Sequence, residues 1–249
     1  MSKSNGLGDI WREVVESIEE LSLSGCYERV NKILSLGMLN RLRKRTAELV
    51  GGPVIVDAGA GPGTSTRIVI GVHPYSKVLM VDPSGHMLSH ALSRLPSGRV
   101  AAVLGRFESL PLADNSVDGI VAMFSFRDAI DYGLAAREFS RVLKRGGSVA
   151  ILDFYKPMQP FKAILKTYLA IMVPIAAALA GCIGKVGMYR SFLETIDRML
   201  TYNDIKRLFS KYFRTVEIKR IVPGLAIISA STPRSVNPAG DGASGSPQP

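Results

Sequence analysis

Asp57, Gly59, Gly61 and Gly63 stand at every second position directly behind the branched apolar run Val54-Ile55-Val56. The run reads as a buried strand, and the glycines let the backbone turn sharply and approach a ligand closely. A helix starting near Gly63 would offer free N–H groups to an anionic group such as a carboxylate. The order acid-x-Gly-x-Gly-x-Gly, with Ala60 and Pro62 in the gaps, is the form that binds S-adenosylmethionine (SAM). The dinucleotide form G-x-G-x-x-G would need glycine at position 64, where Thr64 stands.

A second apolar run, Lys77 to Val81, ends in Asp82-Pro83, with Asp82 23 residues beyond Gly59. An acid about 20 residues on is placed to bind two ribose hydroxyls. The alternative is an N-cap acid for a helix over Ser84-Gly85-His86-Met87-Leu88. Agreement of strand, glycine turn and second strand favours the ribose.

The elements that must position these residues alternate from residue 54 onward, which predicts a parallel sheet with helices on both faces. Strands are expected at 54–58, 77–82, 100–104, 117–123 and 147–153. Helices are expected near 63–71, 84–94 and 131–144, the last stopped by Gly146-Gly147. Residues 214–221 and 225–231 read as a closing hairpin turning at Pro223-Gly224. The pattern suits the Rossmann-like, seven-stranded α/β fold of class I SAM-dependent methyltransferases, a mostly parallel sheet with an antiparallel last strand. A helical N-terminal extension (1–50) precedes the catalytic domain (51–231), which carries a helical lid insertion (157–200). In such sheets ligands collect beyond the carboxyl ends of the strands. Asp57, Asp82, Glu108, Phe124 to Asp128 and Asp153 all fall there.

The chain has 249 residues, enough for one substantial core. Its first 25 residues hold two basic and five acidic side chains, so the remainder carries +13 against +10 overall. That charge suits nucleic acid or an anionic membrane face. Cys26 and Cys182 are read as neither a disulfide framework nor a metal-ligand set, consistent with a reduced cytoplasmic compartment. No signal peptide is visible; the N-terminus is polar, followed by an acidic amphipathic segment from Asp9 to Leu23 carrying Trp11. The Pro/Gly/Ser-rich stretch 232–249 reads as a disordered tail. His86 and His90 have a spacing that can hold zinc but no third ligand, and no metal site is expected.

Several separate motifs resemble the ubiquinone/menaquinone biosynthesis C-methyltransferases (UbiE/MenG-like), over about residues 26 to 231. Tyr27-Glu28-Arg29-Val30-Asn31 and Leu34-Ser35-Leu36-Gly37 resemble the family's Tyr-Asp-x-x-Asn and Met-Ser-x-Gly. Glu108-Ser109-Leu110-Pro111 through Asp118 resembles Glu-x-Leu-Pro-Phe-x-Asp-x-x-Phe-Asp. Phe124-Ser125-Phe126-Arg127-Asp128-Ala129-Ile130-Asp131 resembles Phe-Gly-Leu-Arg-Asn-Val-x-Asp, and Tyr189 to Ile196 resembles Tyr-x-Tyr-Leu-x-Glu-Ser-Ile. These last two segments are the specific ones. The resemblance implies C-methylation of a prenylated quinol, with SAM held by Asp57, Gly59, Ala60, Gly61, Gly63, Asp82, Pro83, Glu108 and Phe124. Two departures stand out. Arg106-Phe107 replaces an Asp-Ala whose acid contacts the adenine, and Asp128 stands where the family has asparagine.

Methyl transfer from a sulfonium is an in-line displacement in which alignment alone is worth ~7–11 kcal/mol. A quinol ring carbon becomes nucleophilic when a neighbouring hydroxyl, of pKa near ~10, loses its proton. Arg127 is a candidate cation for the phenolate. Asp128 and Asp153 are candidate proton acceptors, and Tyr189 a candidate relay. The alternative for Arg127 is an i, i+4 ion pair with Asp131.

Residues 167–184 carry no charge, and 18 residues reach the short end of a membrane span of ~17–25. Pro174 is expected to interrupt the run. A true span would separate the closing hairpin from its own sheet, so spanning is rejected. The run is expected to be a buried helical hairpin over the ligand edge, and also a greasy lid for an isoprenoid tail. Lys156, Lys162, Lys166, Lys185 and Arg190 flank it for anionic head groups, which predicts transient contact with the inner face of the membrane. A nucleic-acid substrate is disfavoured because no Asn-Pro-Pro-Tyr motif follows the fourth strand. The competing readings are a methyltransferase for another small apolar or lipid-like acceptor, and a SAM-binding membrane-surface protein without catalysis.

Overall fold

The computed structural model describes residues 24–35, 37–182 and 199–234. The acidic segment from Asp9 to Leu23, Tyr189 and the tail beyond residue 234 lie outside them. Among the described residues two helices come first, α1 (Cys26–Leu34) and α2 (Met38–Ala47). There follow β1 (Val54–Ala58), α3 (Thr64–Val72), β2 (Lys77–Asp82), α4 (Gly85–Leu92), β3 (Val100–Leu104) and β4 (Val117–Met123). Then come a 3₁₀ turn (Phe126–Asp128), α5 (Tyr132–Val142), β5 (Leu143–Phe154), α6 (Phe161–Leu179), α7 (Tyr202–Tyr212), β6 (Phe213–Val222) and β7 (Leu225–Pro233).

The strands form one seven-stranded sheet in the order β3-β2-β1-β4-β5-β7-β6. The first five run parallel, and β7 enters antiparallel between β5 and β6. The chain reverses direction of travel across the sheet between β1 and β4, which opens the crevice where ligands bind in such folds. Continuous apolar strands explain the two-sided cover: Ile55, Val56, Ile120, Val121 and Ala122 are fully buried. One face is closed by Phe126, Phe139, Phe209 and Phe213 in successive ring contacts. Each such buried side chain contributes ~1.5–3 kcal/mol. The other face packs on α2 and α3 through Leu42, Ala47, Val69 and Ile70.

Four expectations are corrected. Cys26 and Cys182 are joined by a disulfide across a sequence separation of 156, tying α1 to the residues just after α6. α6 passes through Pro174 without a break, and it is not a buried hairpin: of its side chains, Val173, Ala176 and Ala177 are buried. The helix expected over 131–144 ends at Val142, because β5 begins at Leu143 with a register shift against β4 that absorbs the Gly146-Gly147 turn. β7 runs on to Pro233, pairing Phe213 with Pro233, so the first two residues assigned to the tail belong to the sheet.

Candidate active site

At the end of β1 the three glycines do different work. A Cβ on Gly59 would lie 2.5 Å from Ser125 Cβ and 2.9 Å from the Phe107 ring, and one on Gly63 would lie 2.9 Å from Ala91. Those two glycines are demanded by packing as well as by φ values of +69° and +82°. A Cβ on Gly61 would meet nothing within 4 Å. Gly61 is therefore the point where the loop faces open space and a ligand can approach the backbone. Gly63 caps α3 with no side-chain partner for its first N–H groups.

Asp82 pins this loop: Gly61 N–H donates to its Oδ2 at 2.8 Å, and Ser84 N–H donates to its Oδ1 at 2.9 Å. The N-cap of α4 is Ser84, which accepts from Met87 N–H, so Asp82 is not the cap. Pro83 follows at the strand's carboxyl end, and Ala60 is buried in the loop. Asp57 is fully buried; its Oδ2 accepts from the Thr66 hydroxyl at 2.6 Å. Its Oδ1 has no partner among the described residues. Burial, with the nearby Asp82, pushes its pKa up to about 7, against the pull of the Thr66 hydroxyl and the Arg43 cation.

Glu108 holds the backbone after β4: its Oε1 accepts from Ile130 N–H at 2.6 Å and Asp131 N–H at 3.2 Å. Phe107, in the place of the family's alanine, packs edge-on against Phe126 and Phe139. Phe124 follows β4 directly with φ +63°, a conformation costly for a bulky side chain and characteristic of ligand-binding turns.

Arg127, Asp128 and Asp153 come together in the 3₁₀ turn and at the end of β5. Arg127 N–H donates to Asp153 Oδ2 at 2.9 Å, and Arg127 Nη1 donates to Asp153 Oδ1 at 3.1 Å and to the Phe124 carbonyl. Arg127 Nη2 stands 3.6 Å from Asp128 Oδ2. The Arg127–Asp131 pair does not form; Asp131 instead caps α5 by accepting from Gly133 and Leu134 N–H. Asp153 is fully buried and also accepts from Phe154 N–H. Asp128 keeps 30 % of its side chain accessible. Crowding by protein around its carboxyl, with Asp153 and Asp82 nearby, pushes its pKa up to about 6 despite the Arg127 cation.

Sequence reasoning missed Arg43, Tyr132 and Tyr155. The Tyr132 hydroxyl donates to the Arg127 carbonyl at 2.8 Å. Tyr155 is buried beside Asp153, and burial raises its pKa well above the usual phenol range. Arg43, from α2, lies with its guanidinium 5.2 Å above the Phe124 ring. A mid-helix arginine among Arg41, Lys44 and Arg45 carries no spacing signal, and its partner Glu28 lies fifteen residues earlier on another helix.

Sheet order, glycine loop and acids define a class I methyltransferase. The same fold occurs in a putative SAM-dependent methyltransferase of Methanococcus maripaludis, with TM-score 0.60 and 21% identity, covering 95% of this chain and 100% of that one. A Thermotoga maritima structure described as a possible histamine N-methyltransferase has TM-score 0.60 and 18% identity, covering 90% and 99%. Residues 9–232 match the profile of the ubiE/COQ5 methyltransferase family, and the chain belongs to that family. Among curated relatives, the demethylmenaquinone methyltransferase of Chlamydia pneumoniae is 31% identical, covering 83% of this chain and 91% of that protein. The UbiE C-methyltransferase of Syntrophotalea carbinolica is 32% identical, covering 69% and 73%. The protein is a SAM-dependent methyltransferase. Its residues fit that donor: the backbone at Gly61 faces open space, and the nearby strand end carries a buried Asp57 oxygen with no partner among the described residues.

Proposed function

We propose that the protein methylates a ring carbon of a prenylated quinol of the demethylmenaquinol or ubiquinone-precursor type. Family membership and the names of the relatives support the substrate class. The observation that carries the mechanism is Asp128, a partly accessible carboxyl with its pKa near neutrality at the carboxyl end of β4.

SAM, when bound, supplies an electrophilic methyl group. Asp57, Gly59, Ala60, Gly61, Gly63, Asp82, Pro83 and Phe124 are the residues that would hold it, with Asp82 toward the ribose. Glu108 contributes by fixing residues 130 and 131 through their N–H groups.

Asp128 accepts the quinol proton at its carboxylate. The gap between a phenol near ~10 and a carboxyl near 6 makes that transfer uphill by ~5 kcal/mol. The Arg127 cation, buried to 8 % exposure, offsets part of this by favouring the developing phenolate in a water-poor setting. Asp153, with no exposed surface and three donors on its oxygens, is the positioning group that fixes Arg127. Tyr189 remains the proposed relay from the lid.

The prenyl tail is assigned to the lid. Phe161, Ile164, Tyr168, Ile171, Ile175 and Leu179 are all exposed and recur at helical spacing along one face of α6. α6 is long and apolar enough to cross a bilayer by length and composition. Yet β7, which follows the lid, pairs with β5, which precedes it. A face-on, peripheral placement on the inner membrane surface keeps the sheet on one side. Lys162 and Lys166 on α6 suit anionic head groups.

The test is incubation with methyl-labelled SAM and demethylated membrane quinols, followed by mass analysis. Label on a ring carbon is expected; label only on other lipids or on RNA would overturn the substrate assignment.

A further inference from the structure

Arg43 carries an arrangement that the mechanism above leaves unused. Its side chain is 4 % exposed, held from one end by Glu28: Nη1 donates to Oε2 at 3.3 Å and Nη2 to Oε1 at 3.1 Å. Nη1 also donates to Asn40 Oδ1 at 3.1 Å. Its Nε is buried with no partner among the described residues. A guanidinium has five N–H donors, and the edge formed by Nε and Nη2 matches a carboxylate in a fork.

The other unpaired atom of this region is Asp57 Oδ1, on the adjoining strand end. Arg43 and Asp57 feel one another electrostatically, and Phe124 lies under the guanidinium where β4 ends. A buried cation with a bare Nε–H and a buried carboxylate with a bare oxygen thus act on one another at the same end of the sheet. Leaving each unsatisfied costs ~1–3 kcal/mol, which a ligand bearing both opposite charges would recover. The amino-acid end of SAM is such a ligand, an α-ammonium beside a carboxylate.

We propose that Arg43 is the anchor for the methyl donor's carboxylate, with Asp57 facing its ammonium and Glu28 setting the angle of the guanidinium. The inference rests on SAM as donor. Both bare atoms are shut from bulk water, so α2 must lift from Phe124 to admit the amino-acid end. Binding of the donor then brings the N-terminal helices down on the site.

The experiment is equilibrium binding of three ligands to the full chain: SAM, decarboxylated SAM and 5′-methylthioadenosine, which lacks the amino-acid end. Wild type is expected to bind SAM about 10- to 100-fold more tightly than its decarboxylated form, the range of a charge-assisted hydrogen bond. Arg43→Met should abolish that difference while leaving methylthioadenosine binding unchanged. Glu28 is 34 % exposed and can be solvated when Arg43 is lost, so the variant should fold. Glu28→Gln keeps the cation but loosens it, and should give an intermediate ratio. Equal weakening of all three ligands in Arg43→Met, or an unchanged ratio, would overturn the carboxylate role. Failure of methylthioadenosine to bind wild type would instead overturn the adenosyl site itself, and the proposal with it.

Discussion

Arg127 grips Asp153 twice, once from its backbone N–H and once from its guanidinium, so that the 3₁₀ turn after β4 is bolted to the end of β5. The bolt joins two neighbouring strands at the edge where the reaction is proposed to occur. It also sets the distance from the Arg127 cation to Asp128, whose pKa burial raises and that cation lowers.

Breaking the bolt from one side should be costly. Arg127→Met leaves the Asp153 carboxylate buried with no cation, and loss of one partner of a buried pair typically costs ~3–5 kcal/mol. Urea unfolding should show this drop. Asp153→Asn, which keeps the shape and two of the hydrogen-bond acceptor contacts, should lose turnover more than SAM affinity; equal loss of both would contradict a positioning role.

The glycine loop should separate folding from binding. Gly59→Ala places a methyl group 2.5 Å from Ser125 and should fail to give stable protein. Gly61→Ala meets no atom; its φ of +51° costs ~1–2 kcal/mol, visible as a modest fall in Tm. SAM affinity should fall far more steeply. A Gly61→Ala protein with wild-type SAM binding would move the donor elsewhere.

The exposed face of α6 should govern membrane attachment. Ile164→Glu and Ile171→Glu alter exposed positions, so folding stability should change by no more than about 0.5 kcal/mol. Sedimentation with anionic phospholipid vesicles should be lost, and methylation of a long-tailed quinol should fall more than that of a tail-free quinol.

The Cys26–Cys182 link should tie the lid to α1. Reduction, or Cys182→Ser, should lower stability by ~2–4 kcal/mol. Arg29 Nη2 lies 3.4 and 3.5 Å from the two sulfurs. Such bonds are rare in a reducing cytoplasm. Alkylation after acid quenching of whole cells will count the free thiols; none is expected while the Cys26–Cys182 bond is closed.

What could be seen in the sequence was what local spacing encodes. Asp57, the three glycines and Asp82 lie within 26 consecutive residues, so the period of strands and the turn chemistry place them before any tertiary contact forms. The parallel sheet followed from the strand–helix alternation, while the order of its strands is seen in the structure. The rest depends on long-range packing. The Cys26–Cys182 pairing spans most of the chain, and two cysteines that far apart carry no spacing signal. Arg43 sits in a helix turn crowded with other bases, and burial singles it out only once α2 lands on Phe124. Pro174 reads as a breaker, yet α6 accommodates it on a helix whose Ala176 and Ala177 pack on Val30 of α1. Asp128 and Asp153 were equal candidates by type; only exposure separates the accessible base from the buried brace.

The most direct test is the pH dependence of single-turnover methyl transfer to the quinol ring carbon in wild type and Asp128→Asn. The Asp128 carboxyl is raised from its ordinary 3.8 to about 6, so it is protonated and inactive as a base below that pH and ionised above it. The wild-type rate should climb with pH, level off above about 6, and exceed the Asp128→Asn rate by about 10²–10⁴-fold. The variant should lose the rise near 6. An Asp128→Asn enzyme with the same profile and a rate within a few-fold of wild type would contradict the assignment of Asp128 as the proton acceptor.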